Sequence, residues 1–164
     1  MKQRSLFSDI PEKQQAEKPS AAKPAAGSYE LIANIDGGAR GNPGPAAYGV
    51  VIRDGNGQVI AELADYLGLQ TNNFAEYSGL LAALEYAVGE NCSSLKIFSD
   101  SELLVRQMQG RYKVSSPTLK ELFDRARKLV SKVRHFSIEH VLRERNKEAD
   151  RLVNKVLDQR ARGR

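Results

Sequence analysis

Short apolar runs follow one another in the first part of the chain. Residues 31–35, 48–53 and 58–67 are mostly apolar or alternate with polar residues, so each predicts a β-strand. A glycine- and proline-rich stretch, residues 37–45, predicts a loop between the first two strands, and Asp-Gly-Asn-Gly at 54–57 is a hairpin turn signal. This part of the chain therefore predicts an antiparallel meander of three strands.

The spacing of apolar residues becomes helical from Asn73 onward. One face of this predicted helix repeats at positions i, i+4, i+7 and i+11, occupied by Tyr77, Leu81, Leu84 and Val88. The pattern then predicts a strand at 95–98, two helices, the second opened by Pro117, a strand at 135–142 and a last helix capped by Asn146. The order β-β-β-α-β-α-α-β-α predicts an α/β domain with a mixed sheet covered by helices.

The composition changes sharply near residue 28. Residues 1–27 hold three of the six prolines, several alanines and no apolar period, which predicts a flexible N-terminal tail. We expect one folded domain over residues 28–160, followed by a basic C-terminal tail over residues 161–164. The sequence therefore predicts one folded unit and two extensions.

Charge and cysteine content narrow the class of protein. The net charge of +5 over 164 residues favours a polyanionic partner. The single cysteine, Cys92, excludes a disulfide framework and a cysteine-based zinc site. Since no stretch reaches the length of a membrane span and no apolar signal segment is visible, we expect a soluble, cytoplasmic protein without a membrane partner.

Two predicted strands each end in an aspartate followed by a small residue. Asp36 follows the first strand and Asp100 follows the fourth, and ligand sites of open α/β sheets lie beyond the carboxyl ends of parallel strands. Each aspartate also has a local explanation. Asp36 suits a turn before two glycines, and Asp100 suits a helix N-cap, with Ser99 and Glu102 as a second capping pair. Their matching positions favour a shared site over two separate local roles.

Two more acids stand at helix starts. Glu76 lies three residues after Asn73, the spacing of a capping box, but its neighbours are apolar or aromatic, which indicates the border of a buried face. Asp150 lies in the first turn of the last helix, where the helix dipole favours an acid, and three residues before the inward-facing Val153. Both residues are therefore candidates for the same site as the two strand-end aspartates.

Four carboxylates at one site would repel one another unless cations neutralise them. Clustered carboxylates without thiols suit hard divalent cations such as Mg²⁺. Two such ions about 3.5–4 Å apart can hold the attacking and the leaving oxygen of a phosphodiester. In such a pair, one ion would activate water and the other would stabilise the departing 3′ oxygen.

Four motifs resemble those of type 1 ribonuclease H, in a variant without the basic protrusion, and they occur in the family's order. Residues 36–45 with Tyr48 and Gly49 are similar to its first motif, and Thr71-Asn72-Asn73 with Glu76 to its second. Residues 98–101 are similar to the third, and Asn146 with Ala149-Asp150 to the last. The resemblance covers about residues 29–158. It implies a ribonuclease H-like fold, with a five-stranded mixed sheet in the order 3-2-1-4-5 and helices on both faces.

The resemblance also implies an activity, a cofactor and a substrate. The activity is endonucleolytic hydrolysis of the RNA strand of RNA–DNA hybrids, leaving 5′-phosphate and 3′-hydroxyl ends, by a monomer that uses two Mg²⁺ ions, or Mn²⁺. The implied metal ligands and catalytic residues are Asp36, Glu76, Asp100 and Asp150. The implied substrate contacts are Gly37, Gly38, Ala39, Asn42, Asn72 and Asn73. For Asn42 and Asn73, turn and cap chemistry is an equal alternative.

The chain departs from the family pattern at two places. Many members carry a histidine on a loop before the last aspartate, whereas here residues 141–146 contain none and His140 is expected to be an ordinary strand residue. Arg143 or Arg145 could bind a phosphate or the leaving group instead, the alternative being a solvated pair with Glu144. Residues 111–116 are too few for the tryptophan-rich basic protrusion of some members.

The start of the chain suggests a protein partner. Gln3-Arg4-Ser5-Leu6-Phe7 resembles the peptide by which bacterial replication and repair proteins bind the beta sliding clamp. Leu6 and Phe7 would fill an apolar pocket while Gln3 forms hydrogen bonds, and the tail would provide reach. The alternative is a tail with two incidental apolar residues. A peptide of the first ten residues that fails to bind a clamp at micromolar concentration would exclude the clamp hypothesis.

Two other functions fit the same fold. One is a module that binds hybrids without cleaving them, which the presence of all four acids disfavours. The other is a DNA nuclease or resolvase of the same superfamily, which the glycine-rich loop and the asparagine pair disfavour, since both suit an RNA minor groove.

Overall fold

A computed structural model describes residues 29–163. Within these residues, five strands, four α-helices and one 3₁₀ helix occur, and the strands and α-helices follow the predicted order. The strands are β1 Glu30–Ala39, β2 Gly44–Asp54, β3 Val59–Gln70, β4 Ser94–Ser99 and β5 His135–His140. The helices are α1 Asn72–Gly89, α2 Glu102–Met108, α3 Pro117–Val130 and α4 Lys147–Arg162, with the 3₁₀ helix Arg143–Arg145 before α4.

The strands form one mixed sheet in the order β3-β2-β1-β4-β5, as predicted. β1 to β3 are antiparallel neighbours, while β4 runs parallel to β1 and β5 runs parallel to β4. In the parallel pair, Ile35 lies opposite Ser99. The next residue on each chain is an aspartate, so this register places Asp36 and Asp100 at the same edge of the sheet.

Helices cover both faces of the sheet, which agrees with the prediction. The main core joins α1 to one face, where Tyr77, Leu80 and Leu84 are fully or almost fully buried. A separate cluster on the other face joins Val153 and Leu157 of α4 to the sheet. Because α1 and α4 approach from opposite sides, both can bring their N-terminal parts to the edge that carries the aspartates.

The glycine-rich segment is more regular than the predicted loop over residues 37–45. Its first three residues continue β1 and its last two begin β2, with Gly37 paired to Tyr48 and Ala39 to Ala46. Only a tight turn remains, closed by a hydrogen bond of 2.9 Å from the Arg40 amide to the Pro45 carbonyl. Glycine was interpreted as a loop signal. In the structure, Gly37 instead allows β1 to pass close to the backbone of α1.

The helix caps differ from the predicted ones. Thr71, not Asn73, caps α1, because its Oγ1 accepts a hydrogen bond of 3.1 Å from the Phe74 amide. Ser101 caps α2 in the same way, so Asp100 is not the cap. The local explanations for Glu76 and Asp100 as capping residues were therefore wrong, and both side chains are available for another role.

The ends of the last two elements also differ from the prediction. β5 ends at His140, where the chain turns into the 3₁₀ helix, and does not continue to residue 142. α4 continues through Arg162, so residues 161 and 162 belong to a helix and not to a tail. In the described residues no helix is both long and apolar enough to cross a membrane. The clamp-binding candidates Gln3, Leu6 and Phe7 lie outside the described residues.

Candidate active site

A cavity of about 500 Å³ opens at the edge of the sheet where β1 and β4 end. Its wall is formed by β1 and the turn after it, the N-terminal half of α1, one side of α4, and the residues at and after the ends of β4 and β5. Its lining residues are Asp36, Gly37, Gly38, Ala39, Arg40, Asn72, Glu76, Asp100, His140, Leu142, Arg143, Asp150, Val153, Asn154 and Leu157. All four predicted acids therefore face one space.

Three of the acids form a close group. Asp36, Glu76 and Asp100 each offer a carboxylate oxygen, and these oxygens lie within 4.8 Å of one another. Asp36 is in β1 and only 7% exposed, Glu76 is in the second turn of α1, and Asp100 follows β4. Three acids from distant parts of the chain thus meet at a spacing that one cation could bridge.

Burial and mutual repulsion disfavour the charged forms of these acids. Burial, followed by the charges of Asp100 and Asp150, raises the pKa of Asp36 to about 8. Burial, followed by the charges of Asp36 and Asp100, raises the pKa of Glu76 well above its usual value. The group is therefore poised to lose protons when a cation binds.

The donor set fits a hard divalent cation. Within the described part of the chain, the buried oxygen Oε1 of Glu76 has no hydrogen-bond partner. A buried oxygen without a partner is costly, and a cation would supply the missing interaction. The oxygen ligands without sulfur match the preference of Mg²⁺ or Mn²⁺.

The raised pKa of Asp36 leads to a prediction about stability. The folded protein keeps the Asp36 proton until about pH 8, whereas the unfolded chain releases it near pH 3.8. Between these values the folded state binds more protons, so the free energy of unfolding falls as pH rises, by up to about 1.4 kcal/mol per pH unit. Asp36→Asn removes this dependence. The Tm of the variant minus the Tm of the metal-free wild type should therefore increase from pH 4 to pH 8.

Thermal unfolding followed by circular dichroism measures this difference in Tm. Asp124→Asn, a substitution at an exposed residue, serves as the control. Parallel Tm profiles of Asp36→Asn and the wild type over this pH range would contradict the prediction.

Asp150 lies beside the close group and not within it. It is in the first turn of α4, lines the same cavity, and its carboxyl group is in hydrogen-bonding contact with that of Asp36. This contact contributes to the raised pKa of Asp36, after burial and the charges of Asp100 and Asp150. Asp150 therefore extends the group toward α4.

Asn146 holds the start of α4 against the sheet. Its Nδ2 donates to the Ile35 carbonyl at 2.8 Å, and its Oδ1 accepts from Asn34 Nδ2 at 3.0 Å. The Asn146 side chain also opposes the rise in the pKa of Asp100. It makes no capping hydrogen bond, so Asn146 is the N-cap of α4 by position only. Asn146 is 1% exposed, and its bonds fix the helix that carries Asp150.

Comparison with known proteins identifies the family. A family model described as reverse transcriptase-like matches residues 34–156. Ribonuclease HI of Halobacterium salinarum is 43% identical over 126 residues, which are 77% of this chain and 63% of the relative. The crystal structure of ribonuclease H1 from the same organism has a TM-score of 0.76, and the match covers 79% of this chain and 98% of that one. The chain belongs to the ribonuclease HI family.

Two further ribonuclease H structures resemble the chain. The N-terminal ribonuclease H domain of Rv2228c from Mycobacterium tuberculosis has a TM-score of 0.80 at 43% identity and covers 83% of this chain and 99% of that one. LC11-RNase H1 in complex with an RNA/DNA hybrid has a TM-score of 0.76 at 43% identity, covering 80% of this chain and 99% of that one. The full mycobacterial protein, called bifunctional, is longer, since this chain spans 36% of its length.

The residues that ribonuclease HI motifs suggest as substrate contacts fall into two groups. Gly37, Gly38, Ala39 and Asn72 line the cavity, whereas Asn42 and Asn73 do not. Asn72 Oδ1 accepts from the Ala39 amide at 2.8 Å, and Asn42 Oδ1 accepts from the Asn72 amide at 3.0 Å. These two bonds join the β1–β2 turn to the start of α1, so Asn42 positions Asn72 in this structure. The role of all six residues in substrate binding stays a prediction.

The segment after β5 brings a positive charge to the acids. Arg143 lines the cavity, and its charge opposes the rise in the pKa of Asp100 and of Glu76. Arg145 is exposed and does not line the cavity. His140, expected to be an ordinary strand residue, also lines the cavity.

Sequence reasoning missed two polar residues that line the cavity beside Asp150. Arg40 comes from the β1–β2 turn and Asn154 from the second turn of α4. The available signal was spacing, since Asn154 and Asp158 follow Asp150 at i+4 and i+8 and so share one face of a helix. Arg40 carried no such signal, because its position in a glycine-rich turn does not reveal where its side chain lies.

Proposed function

We propose that this protein is an endoribonuclease that hydrolyses the RNA strand of RNA–DNA hybrids and leaves 5′-phosphate and 3′-hydroxyl ends. The observation that carries the proposal is the meeting of three carboxylates, from Asp36, Glu76 and Asp100, within 4.8 Å of one another. The similarity to LC11-RNase H1, a protein whose structure holds a bound RNA/DNA hybrid, supports the same substrate class.

The four acids would hold the divalent cations, two Mg²⁺ ions or Mn²⁺, that this reaction needs. Bound cations of this kind supply Lewis-acid chemistry, which activates water and stabilises the departing 3′ oxygen of a phosphodiester. Asp36, Glu76 and Asp100 form the central ligand set, and Asp150 adds a carboxylate from the side of α4. Asn146 keeps that helix in place through its hydrogen bonds to Ile35 and Asn34 of β1.

The glycine-rich segment would contact the RNA strand. The cavity wall here is formed by Gly37, Gly38 and Ala39. Because the two glycines have no side chains, a sugar–phosphate chain could approach the backbone closely. Asn72 uses its Oδ1 on the Ala39 amide, and among the described residues its Nδ2 makes no hydrogen bond. We expect this amino group to donate to a base edge or to a 2′-hydroxyl in the minor groove, the group that distinguishes RNA from DNA.

Arg143 is the chain's candidate for binding the phosphate next to the cleaved bond. Arg143 faces the same cavity as the four acids, and a guanidinium group matches the geometry and charge of a phosphate. An arginine is too weak a base to take a proton from water, so its contribution is to bind negative charge. Arg145, which is exposed and outside the cavity, would contact a more distant part of the substrate.

A cleavage assay tests this function. The full chain with Mg²⁺ is expected to cut the RNA strand of a labelled hybrid and to leave double-stranded DNA of the same sequence intact. Analysis of the product ends should find 5′-phosphate and 3′-hydroxyl groups. Binding of the hybrid without cleavage in Mg²⁺ or Mn²⁺ would instead support a binding module, and equal cleavage of double-stranded DNA would support a DNA nuclease.

A sliding-clamp partner is a separate proposal that rests on residues 3–7 alone. If Gln3, Leu6 and Phe7 bind a clamp, tethering would raise the local concentration of the enzyme near replicating DNA. Binding of a peptide of the first ten residues to a clamp decides it independently of the cleavage assay.

A further inference from the structure

Three residues of α4 form a column beside the cavity. Asp150, Asn154 and Asp158 are spaced by four residues, so their side chains share one face of the helix. Arg40, from the turn between β1 and β2, lies against this face. Its Nη2 contacts Asp158 Oδ1 at 2.8 Å and donates to Asn154 Oδ1 at 3.3 Å. The column therefore connects the glycine-rich turn to the helix that carries the fourth acid.

Asn154 is hydrogen-bonded on both sides. Its Nδ2 lies 3.2 Å from Asp150 Oδ2 and 3.2 Å from the Asp150 carbonyl oxygen, while its Oδ1 receives Arg40. The contact to Arg40 also settles which side of the amide faces Asp150, because an arginine can only donate. The Asn154 amide group is thereby fixed in the orientation in which it donates to the Asp150 carboxylate.

The chemistry of this arrangement suits a carboxylate that must bind a cation. A lysine or arginine in direct contact with Asp150 would neutralise its charge and compete with the cation. The neutral amide of Asn154 restrains the carboxylate without adding charge, and Asp158 balances the charge of Arg40 one turn further along. Asp158 and Arg40 are 51% and 44% exposed, and an ion pair that exposed contributes about 0–1 kcal/mol to stability. Stability alone therefore does not account for the column.

We propose that Asn154 is a positioning residue, held by Arg40, which orients the Asp150 carboxylate toward the three-acid group for cation binding. The inference rests on the proposed function, because Asp150 matters here as a metal ligand. Partners that orient a metal ligand typically account for 10- to 100-fold in metal affinity or activity.

Calorimetric titration of Mn²⁺ into the metal-free full chain, without substrate, tests the inference. Asn154→Ala is expected to weaken Mn²⁺ binding about tenfold, and Arg40→Ala to weaken it less. The hybrid-cleavage rate of Asn154→Ala should need about tenfold more Mg²⁺ for half-saturation, with KM for the hybrid unchanged. Gln159→Ala, which removes an exposed amide from the same helix, serves as the matched control and should behave as the wild type.

A mutant cycle separates positioning from a general effect on the helix. If Asn154 acts through Asp150, then Asn154→Ala should cause no further loss of Mn²⁺ affinity in an Asp150→Asn background. Equal Mn²⁺ affinity of Asn154→Ala and Gln159→Ala, or additive losses in the double variant, would overturn the inference. An effect of Arg40→Ala on KM alone would assign Arg40 to substrate binding instead, and would overturn its part in holding Asn154.

Failure of the proposed function would give a different result. In that case the wild type itself would neither bind Mn²⁺ nor cleave hybrids.

Discussion

Replacing Asp100 with asparagine is expected to reduce hybrid cleavage by at least about a hundredfold. Asp100 supplies one of the three carboxylate oxygens that lie within 4.8 Å of one another, and an amide carries no charge to hold a cation there. Cation catalysis contributes several kcal/mol to such reactions, and each 1.4 kcal/mol corresponds to about a tenfold change in rate. The measurement is the single-turnover cleavage rate at saturating Mg²⁺.

The loss should arise from the site and not from the fold. Asp100→Asn relieves repulsion within the acid group, so its Tm without metal should be equal to or above that of the wild type. Asp124→Asn provides the control, because Asp124 is exposed on α3 and pairs with Lys120. Cleavage by Asp100→Asn within a few-fold of the wild-type rate would refute the assignment of the metal site.

Replacing Gly37 with alanine is expected to destabilise the protein by about 3 kcal/mol, at the upper end of the usual cost of overpacking. A Cβ at this position would lie 2.3 Å from the carbonyl carbon and oxygen of Ala75 and 2.5 Å from the amide nitrogen of Glu76. These are backbone atoms of α1, which cannot rotate away as a side chain can. The helix would have to shift, and a shift of α1 would also move the Glu76 carboxyl group.

The neighbouring glycine provides the matched control. A Cβ at Gly38 would meet only Val153 Cγ1, at 3.9 Å, which is an ordinary van der Waals distance. Gly38→Ala should therefore change stability by less than about 0.5 kcal/mol, whereas Gly37→Ala should lower Tm by about 10 °C. Thermal unfolding in the absence of metal compares the two, and similar Tm values for both variants would show that α1 does not pack on β1 as described.

Much of the fold could be predicted from the sequence because the apolar pattern repeats with the period of each element. The helical spacing through Tyr77, Leu81 and Leu84 is that of a buried helix, and α1 buries these residues against the sheet. The parallel pairing of β1 with β4 followed from the family resemblance, and the register then brings Asp36 and Asp100 together. Glu76 and Asp150 were candidates from their positions near helix starts, and the family resemblance then assigned both to the same site.

Element ends and supporting contacts could not be predicted in the same way. Several residues near Asn73 can cap a helix, and only the path of the chain decides that Thr71 does so. The bond between Asn34 and Asn146 joins residues 112 positions apart, so no local pattern reveals it. The one signal in the sequence was a polar residue, Asn34, within an apolar strand. This indicates that the Asn34 side chain has a hydrogen-bond partner but does not identify that partner.

The amino-acid sequence by itself predicted which four acids line the cavity, because their types, order and spacing along the chain can be read without the fold. Only the tertiary structure decided how those acids are arranged. It placed Asp36, Glu76 and Asp100 in one close group, with Asp150 beside it, and it brought Arg40 against Asn154. The physical reason is that the charge of each carboxylate depends on its burial and on its distance from the other acids. Both depend on how α1 and α4 pack on opposite faces of the sheet, and no single segment of the chain contains that information.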